Sequence, residues 1–285
     1  MKSIIVPIDF SACSFNALRY AIDLSKNEET EILLLHAVDY PVPMGMEYGM
    51  VNGSVMGEQL IQAEQKAEKK LEVLTAQQKE EKITFSKRTV TGSLMNWLKT
   101  DLPEMTCDLI VMGTTGASEL KSTFIGSNTE KVVRHACCPV LAVPKEASWK
   151  PIVDIVVPFE SKELTESFFT SLREIQGFTD ATIQLLWVNT PHAIVREADL
   201  IEEMAAFVNS HGITDYRINT RRAFSPAAGI LSFLEEVNGD LVAMSTHGRK
   251  GLQHLIFDSV TEEVVNKTAV PIWAFRAPVK EKVKA

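Results

Sequence analysis

One segment of this chain occurs twice. Met112 to Ser127 reads M-G-T-T-G, nine further residues, then G-S; Met244 to Ser259 reads M-S-T-H-G, nine residues, then D-S. Gly113 pairs with Ser245, Gly126 with Asp258 and Pro139 with Pro271, each 132 residues apart. Near the start of each copy the separation is 151 residues: Pro7 of I-I-V-P-I-D pairs with Pro158 of I-V-V-P-F-E, and Leu35-His36-Ala37-Val38 with Leu186-Trp187-Val188-Asn189. The difference of 19 residues is extra length in the first copy, placed by its Met, Gly and Pro content between Tyr40 and Met56. A repeat of this length is a duplicated domain, so the chain must fold as two like units.

Each copy alternates strand and helix signals. In the first, Ser3 to Ile8, Glu31 to Val38, Ile83 to Val90, Leu109 to Met112 and Val140 to Val143 read as strands. The spacing predicts helices over Ser11 to Lys26, with Ser11 or Ser14 as cap, and over Gly57 to Lys82, Leu94 to Asp101 and Ser127 to His135. The second copy repeats the order, with strands near Ile155, Ile183, Tyr216, Leu241 and Ile272. Strands separated by helices imply parallel pairing through crossovers, hence an α/β architecture. Parallel strands are covered on both faces, which accounts for their continuous apolar runs. Pro144 to Pro151 reads as the linker, giving expected domains at 1–146 and 150–278, followed by a Lys-rich, frayed C-terminus.

The 285 residues suffice for two domains that each bury a core. A formal charge of −8 with no basic cluster argues against a nucleic-acid surface. No apolar run has the length of a bilayer span, and no signal-peptide pattern follows Met1-Lys2. Cys13, Cys107, Cys137 and Cys138 show no disulfide framework, which fits free thiols in a cytoplasmic protein.

The glycine segment carries the chemistry. Met112 ends a strand, so Gly113 to Gly116 is expected as a turn at the carboxyl edge of the sheet, where ligands of open α/β sheets sit. Glycine allows positive φ and exposes backbone N–H groups without a Cβ in the way. Gly126-Ser127 then opens a helix, whose unpaired N–H groups and partial positive charge suit phosphate. Ser127-Asn128-Thr129-Glu130 also matches a capping box, as does Ser259-Val260-Thr261-Glu262, which gives this part a structural role as well.

With that pattern between strand and helix, and echoed at fixed offset, the whole chain resembles a tandem universal stress protein. Gly113, Gly116, Gly126 and Ser127 match the family's ATP signature G-x2-G-x9-G-[ST]. The resemblance implies an open five-stranded parallel sheet in each domain, with helices on both faces and strand order 3-2-1-4-5 (Rossmann-like, of the adenine nucleotide α-hydrolase type). It implies that Asp9 contacts ribose or adenine, that Val38 meets adenine through its backbone, that Met112 packs nearby, and that Asn128 follows Ser127 beside the phosphates. It also implies that the last strands of the two domains pair edge to edge, Val140 to Val143 against Ile272 to Phe275, as an internal pseudo-dimer.

The second copy departs from the signature. Glu160 replaces Asp9, Asn189 stands at or one residue beyond the place of Val38, Ser245 replaces Gly113 and Asp258 replaces Gly126. A carboxylate in the phosphate seat predicts that this copy does not bind ATP in the family's manner. His247, in the turn of the second copy, reads as a solvated turn residue. His135, Cys137 and Cys138 read as a strand entrance, because adjacent ligands suit a tetrahedral metal poorly. Cys13 and Cys107 read as small core residues. Met44, Met46, Met50 and Met56 read as irregular loop packing, with a lid or partner surface as the alternative.

No P-loop G-x4-G-K-[ST] and no G-x-S-x-G elbow is present. The expected function is therefore binding: a cytoplasmic stress-response protein that holds ATP, alone or with Mg2+, in its N-terminal domain and acts as a nucleotide-dependent regulatory or interaction module. The expected partners are ATP or another adenine nucleotide and an unknown protein, with a homodimer compatible and no nucleic acid or membrane. A slow ATPase or self-phosphorylating enzyme, and a ligand-free interaction protein, are the rival readings.

Overall fold

Ten strands form one sheet in the order β3-β2-β1-β4-β5-β10-β9-β6-β7-β8. The structure is a computed structural model and describes residues 1–39, 53–114, 126–159, 164–191, 196–246 and 259–276. Gly116, Glu160, His247, Asp258, Met44, Met46 and Met50, on which expectations were placed, lie outside the described residues, as do the side chains of Met56, Ser259 and Glu262.

The first half runs β1 (Ser3–Pro7), α1 (Ala12–Ser25), β2 (Thr30–Val38), α2 (Gly53–Gln77), β3 (Ile83–Thr91), α3 (Leu94–Thr100), a short 3-10 turn, β4 (Leu109–Gly113), α4 (Ser127–His135) and β5 (Val140–Val143). The second runs β6 (Asp154–Pro158), α5 (Glu166–Thr179), β7 (Thr182–Asn189), α6 (Glu197–Ser210), β8 (Tyr216–Arg222), α7 (Pro226–Val237), β9 (Leu241–Thr246), α8 (Ser259–Lys267) and β10 (Ile272–Arg276). Within each half the strands are parallel and follow the expected order 3-2-1-4-5.

Alternate strand residues feed two cores, one on each face of the sheet. Ile4 and Val6 join α1, α2, α5 and α6 on one face. Ile5 points the other way, toward α3, α4, α7 and α8. Ile155 and Val157 against Val156 repeat this in the second half. Each core runs unbroken through both halves, because β5 and β10 pair antiparallel at the centre, with Leu141 opposite Trp273 and Ala142 opposite Ile272. Two edges that would otherwise expose unpaired N–H and C=O groups are thereby closed.

Both boundaries of one helix differ from expectation by more than a residue. Helix α2 starts at Gly53, inside the Met- and Gly-rich stretch, and stops at Gln77 rather than Lys82. Its end has a local cause: the Gln78 side-chain amide donates to Leu74 O at 3.0 Å, taking up a carbonyl the helix leaves unpaired. At α1 the cap is Ser11, whose Oγ accepts from Ser14 N at 3.1 Å. The segment read as a linker is held down. Asn16 Nδ2 donates to Ala147 O at 2.9 Å, Trp149 meets Tyr20 edge-on at 4.8 Å, and Lys150 reaches Asp240 at 2.7 Å.

Candidate functional site

The carboxyl ends of β1, β2 and β4 and the N-terminus of α4 surround a cavity of about 140 Å3. This is where the strand order reverses, since β1 has β2 on one side and β4 on the other. Asp9, Met112, Gly113, Gly126, Ser127 and Asn128, all singled out in the sequence, line it together. Val38 does not. It is buried and its carbonyl accepts from Gly92 N at 2.9 Å, so the lining from β2 comes from Leu35, His36 and Ala37.

Gly113 is the last residue of β4, paired with Val143, and belongs to no positive-φ turn. Its lack of a side chain has another cause. A β-carbon there would lie 2.4 Å from Cys13 Sγ and 3.0 Å from the Cys13 carbonyl carbon and oxygen. The start of α1 therefore packs directly on the end of β4, which holds Asp9, in the connection before α1, over the sheet edge. Gly126 is likewise at φ −59°, ψ 141°, a conformation open to any residue. The expectation that Gly113 starts a turn is corrected, since it ends the strand and permits close packing, while Gly126 opens the helix and keeps its mouth bare.

That mouth also corrects the capping-box expectation. The N-cap of α4 is Gly126, one residue before Ser127, and no side chain caps it. Glu130 pairs instead with Arg134 at 2.7 Å, one turn along the helix. A residue without a side chain at the N-cap leaves the first-turn amides open to the cavity, where the helix dipole favours an anion. Ser127 and Asn128 are exposed beside them. The helix start is fixed from behind: buried Thr129 donates its hydroxyl to Gly113 O at 2.7 Å, and Gly126 N donates to Thr114 O at 2.5 Å.

Three polar contributors were not expected at the site. His36 is half-buried in the lining; its Nδ1 lies 2.6 Å from Ile8 O, an acceptor only, so Nδ1 carries the donated proton. Its ring stands 4.7 Å from that of Phe10, a residue at φ 63°. Ser14 and Thr129 complete the set. The only signal for His36 was a lone polar residue in an apolar strand, whose outward face cannot be told from its inward one without the sheet. Asp9 Oδ1 accepts from Ser11 N at 3.0 Å, so its carboxylate is oriented by the loop that leads into α1.

The second half has the corresponding hollow, lined by Pro158, Phe159, Leu186, Trp187, Met244 and Ser245 among others. Asn189 takes the place of Val38, its carbonyl accepting from Ala223 N at 3.1 Å. Elsewhere, buried Cys138 Sγ lies 3.4 Å from Cys107 Sγ, and Cys137 beside it is exposed. Cys13 is buried as expected, whereas Cys107 is only half-buried. Among the described residues no group of three His, Cys, Asp or Glu could hold a metal ion, and no helix is long and apolar enough to cross a membrane.

A universal stress protein of Methanocaldococcus jannaschii is 32% identical over 146 residues, half of this chain and 82% of its own length. One from Synechocystis is 23% identical over 300 residues, spanning 97% of this chain and all of its own. The crystal structure of a universal stress protein from Archaeoglobus fulgidus superposes over 96% of this chain and 98% of its own, with a TM-score of 0.75 at 19% identity, which shows the shared fold. The model of the universal stress protein family matches residues 1–144 and 181–276, and with strand order and repeat in agreement the chain belongs to that family.

Proposed function

We propose that the first half binds ATP in the cavity between Asp9 and the start of α4, and that binding, rather than turnover, is its function. The observation that carries this reading is the helix mouth: Gly126 caps α4 with no side chain, so the first-turn amides open onto the same cavity as Asp9 and Gly113. Those amides and the exposed Ser127 and Asn128 suit a polyphosphate. The net charge of the chain opposes an anion, so the local dipoles must supply the attraction. Asp9 accepts hydrogen bonds only, which suits ribose hydroxyls or an exocyclic amine. Met112, Leu35 and Ala37 give the apolar wall a base requires. The bound nucleotide, seated on the start of α4, would set the surface that a protein partner reads in a cytoplasmic stress response.

The test is isothermal titration of the full chain with ATP, with and without Gly126→Asp. One nucleotide per chain is expected. Asp is a favourable N-cap and fits the observed dihedrals, so this variant should keep or raise its melting temperature. A carboxylate about 4 Å from a phosphate costs up to ~4 kcal/mol at an effective dielectric near 20. Affinity should then fall by about a thousandfold. Two nucleotides per chain, or unchanged affinity in Gly126→Asp, would overturn the reading.

A further inference from the structure

The hollow of the second half is the same site with its chemistry changed. Met244 and Thr261 stand where Met112 and Thr129 stand in the first half, but Val260 takes the place of Asn128, Trp187 that of His36 and Phe159 that of Ile8. No charged side chain is among its described lining residues, and Glu160 and Asp258, the counterparts of Asp9 and Gly126, lie outside them. The cavity measures about 270 Å3, against about 140 Å3 in the first half.

Each change disfavours a phosphate and favours a ring. Val260 removes an amide from the first turn of α8, where the first half presents one. Trp187 and Phe159 supply aromatic faces that prefer offset or edge-on contact with another ring. Phe159 is held for this by an edge-on contact with Phe207 at 5.6 Å, and Ile230 of α7 is buried on the far wall. About 150 Å3 suffices for one benzene ring, so this hollow has room for two fused rings.

We propose that the second half is a binding site for a small, uncharged, fused-ring aromatic molecule, seated against Trp187, Phe159 and Ile230. The two halves then hold different ligands in equivalent places. This stands whether or not the first half binds ATP, because no residue of that cavity takes part.

The experiment is a titration of the full chain with N-phenyl-1-naphthylamine, an uncharged probe whose fluorescence rises in apolar surroundings. One saturable site is expected, unchanged by saturating ATP. Val260→Asn, which restores the polar residue of the first half on the rim, should weaken the probe by about tenfold without changing the melting temperature. Ile230→Trp, which fills the cavity, should abolish binding; if that variant fails to fold, Val260→Asn still decides. A second apolar trough lies at Phe10, Phe15, Val73 and Leu74, so Val73→Asp on exposed α2 serves as control and should leave the probe unaffected. Absence of saturable binding, displacement by ATP, or loss in Val73→Asp with none in Val260→Asn would overturn the proposal.

Discussion

Cys13 and Gly113 meet so closely that the smallest enlargement must move backbone. Gly113→Ala is expected to cost about 1–3 kcal/mol by overpacking, read from urea unfolding. Adding Cys13→Ala should recover part of that loss, since sulfur is the nearest atom and the Cys13 backbone accounts for the rest. Full additivity of the two changes would show that the contact is relieved by other means. Exposed Cys137 offers a second test. The Cys138 thiol hydrogen-bonded to it holds its pKa at about 6, against an ordinary 9.0. Alkylation by iodoacetamide, followed by mass spectrometry, should rise through about pH 6 at Cys137. Cys138 should stay inert, because its contacts with Cys107 and Cys137 and its burial push its thiol up. A Cys137 midpoint at the ordinary thiol value would refute this. The linkage follows: between about 6 and 9.0 the unfolded chain binds the Cys137 proton and the folded chain does not. That group therefore adds stability as pH rises through the window and loses it as pH falls. Cys138 has the opposite sign, its contribution fading as pH passes the ordinary thiol value. At this scale the sequence was a partial guide. Gly126 and Ser127 were legible from motif and spacing, and Asp9 and Asn128 only through the family resemblance, but the reason for Gly113 was not, because the neighbour that needs its missing side chain lies a hundred residues away. His36 was invisible for a similar cause: facing is a property of the sheet, and a strand covered on both sides has no alternation to read.

Helix α4 joins the cavity to the rest of the fold, and Thr129 is the pin. Thr129→Val removes the hydroxyl that Gly113 O accepts and leaves that carbonyl without this buried donor. A loss of about 1–2 kcal/mol in urea unfolding is expected, and the proposed ATP affinity of the first half falls as well because the helix mouth is no longer held. Unchanged stability would mean that the bond is replaceable. Elements were largely legible: the strands were placed within a residue or two, and Val140 to Val143 and Ser127 to His135 matched. The failures were at helix ends. S-x-x-E reads as a capping box only if serine is the cap, and the backbone placed that cap at Gly126, where a hydrogen-bond argument on side chains alone cannot reach. The stop of α2 depended on a Gln78 side chain folding back on Leu74, a choice no periodicity encodes.

Across the whole molecule, β5 and β10 make one sheet of two halves, and two continuous cores make one cooperative unit. Differential scanning calorimetry should therefore show a single transition. Trp273 is fully buried in the core shared by both halves, so Trp273→Ala is expected to cost about 3–5 kcal/mol and to separate the transition into two. Two transitions in the unaltered chain would show that the halves are independent. The strand order and the central pairing were legible only through family resemblance, since spacing indicates that strands exist but not which edges meet.

The central β5–β10 ladder frees this chain from a constraint that a pair of identical subunits cannot escape. A symmetric dimer presents the same surface twice, so any mutation is felt at both sites. Here the mate is tethered, its local concentration is set by the short stretch from Pro144 to Pro151, and dilution does not part them. One half was thus at liberty to keep a bare amide mouth while the other filled its hollow with indole and phenyl rings, because the seam between them pairs residues 140–142 with 272–274 and touches neither hollow.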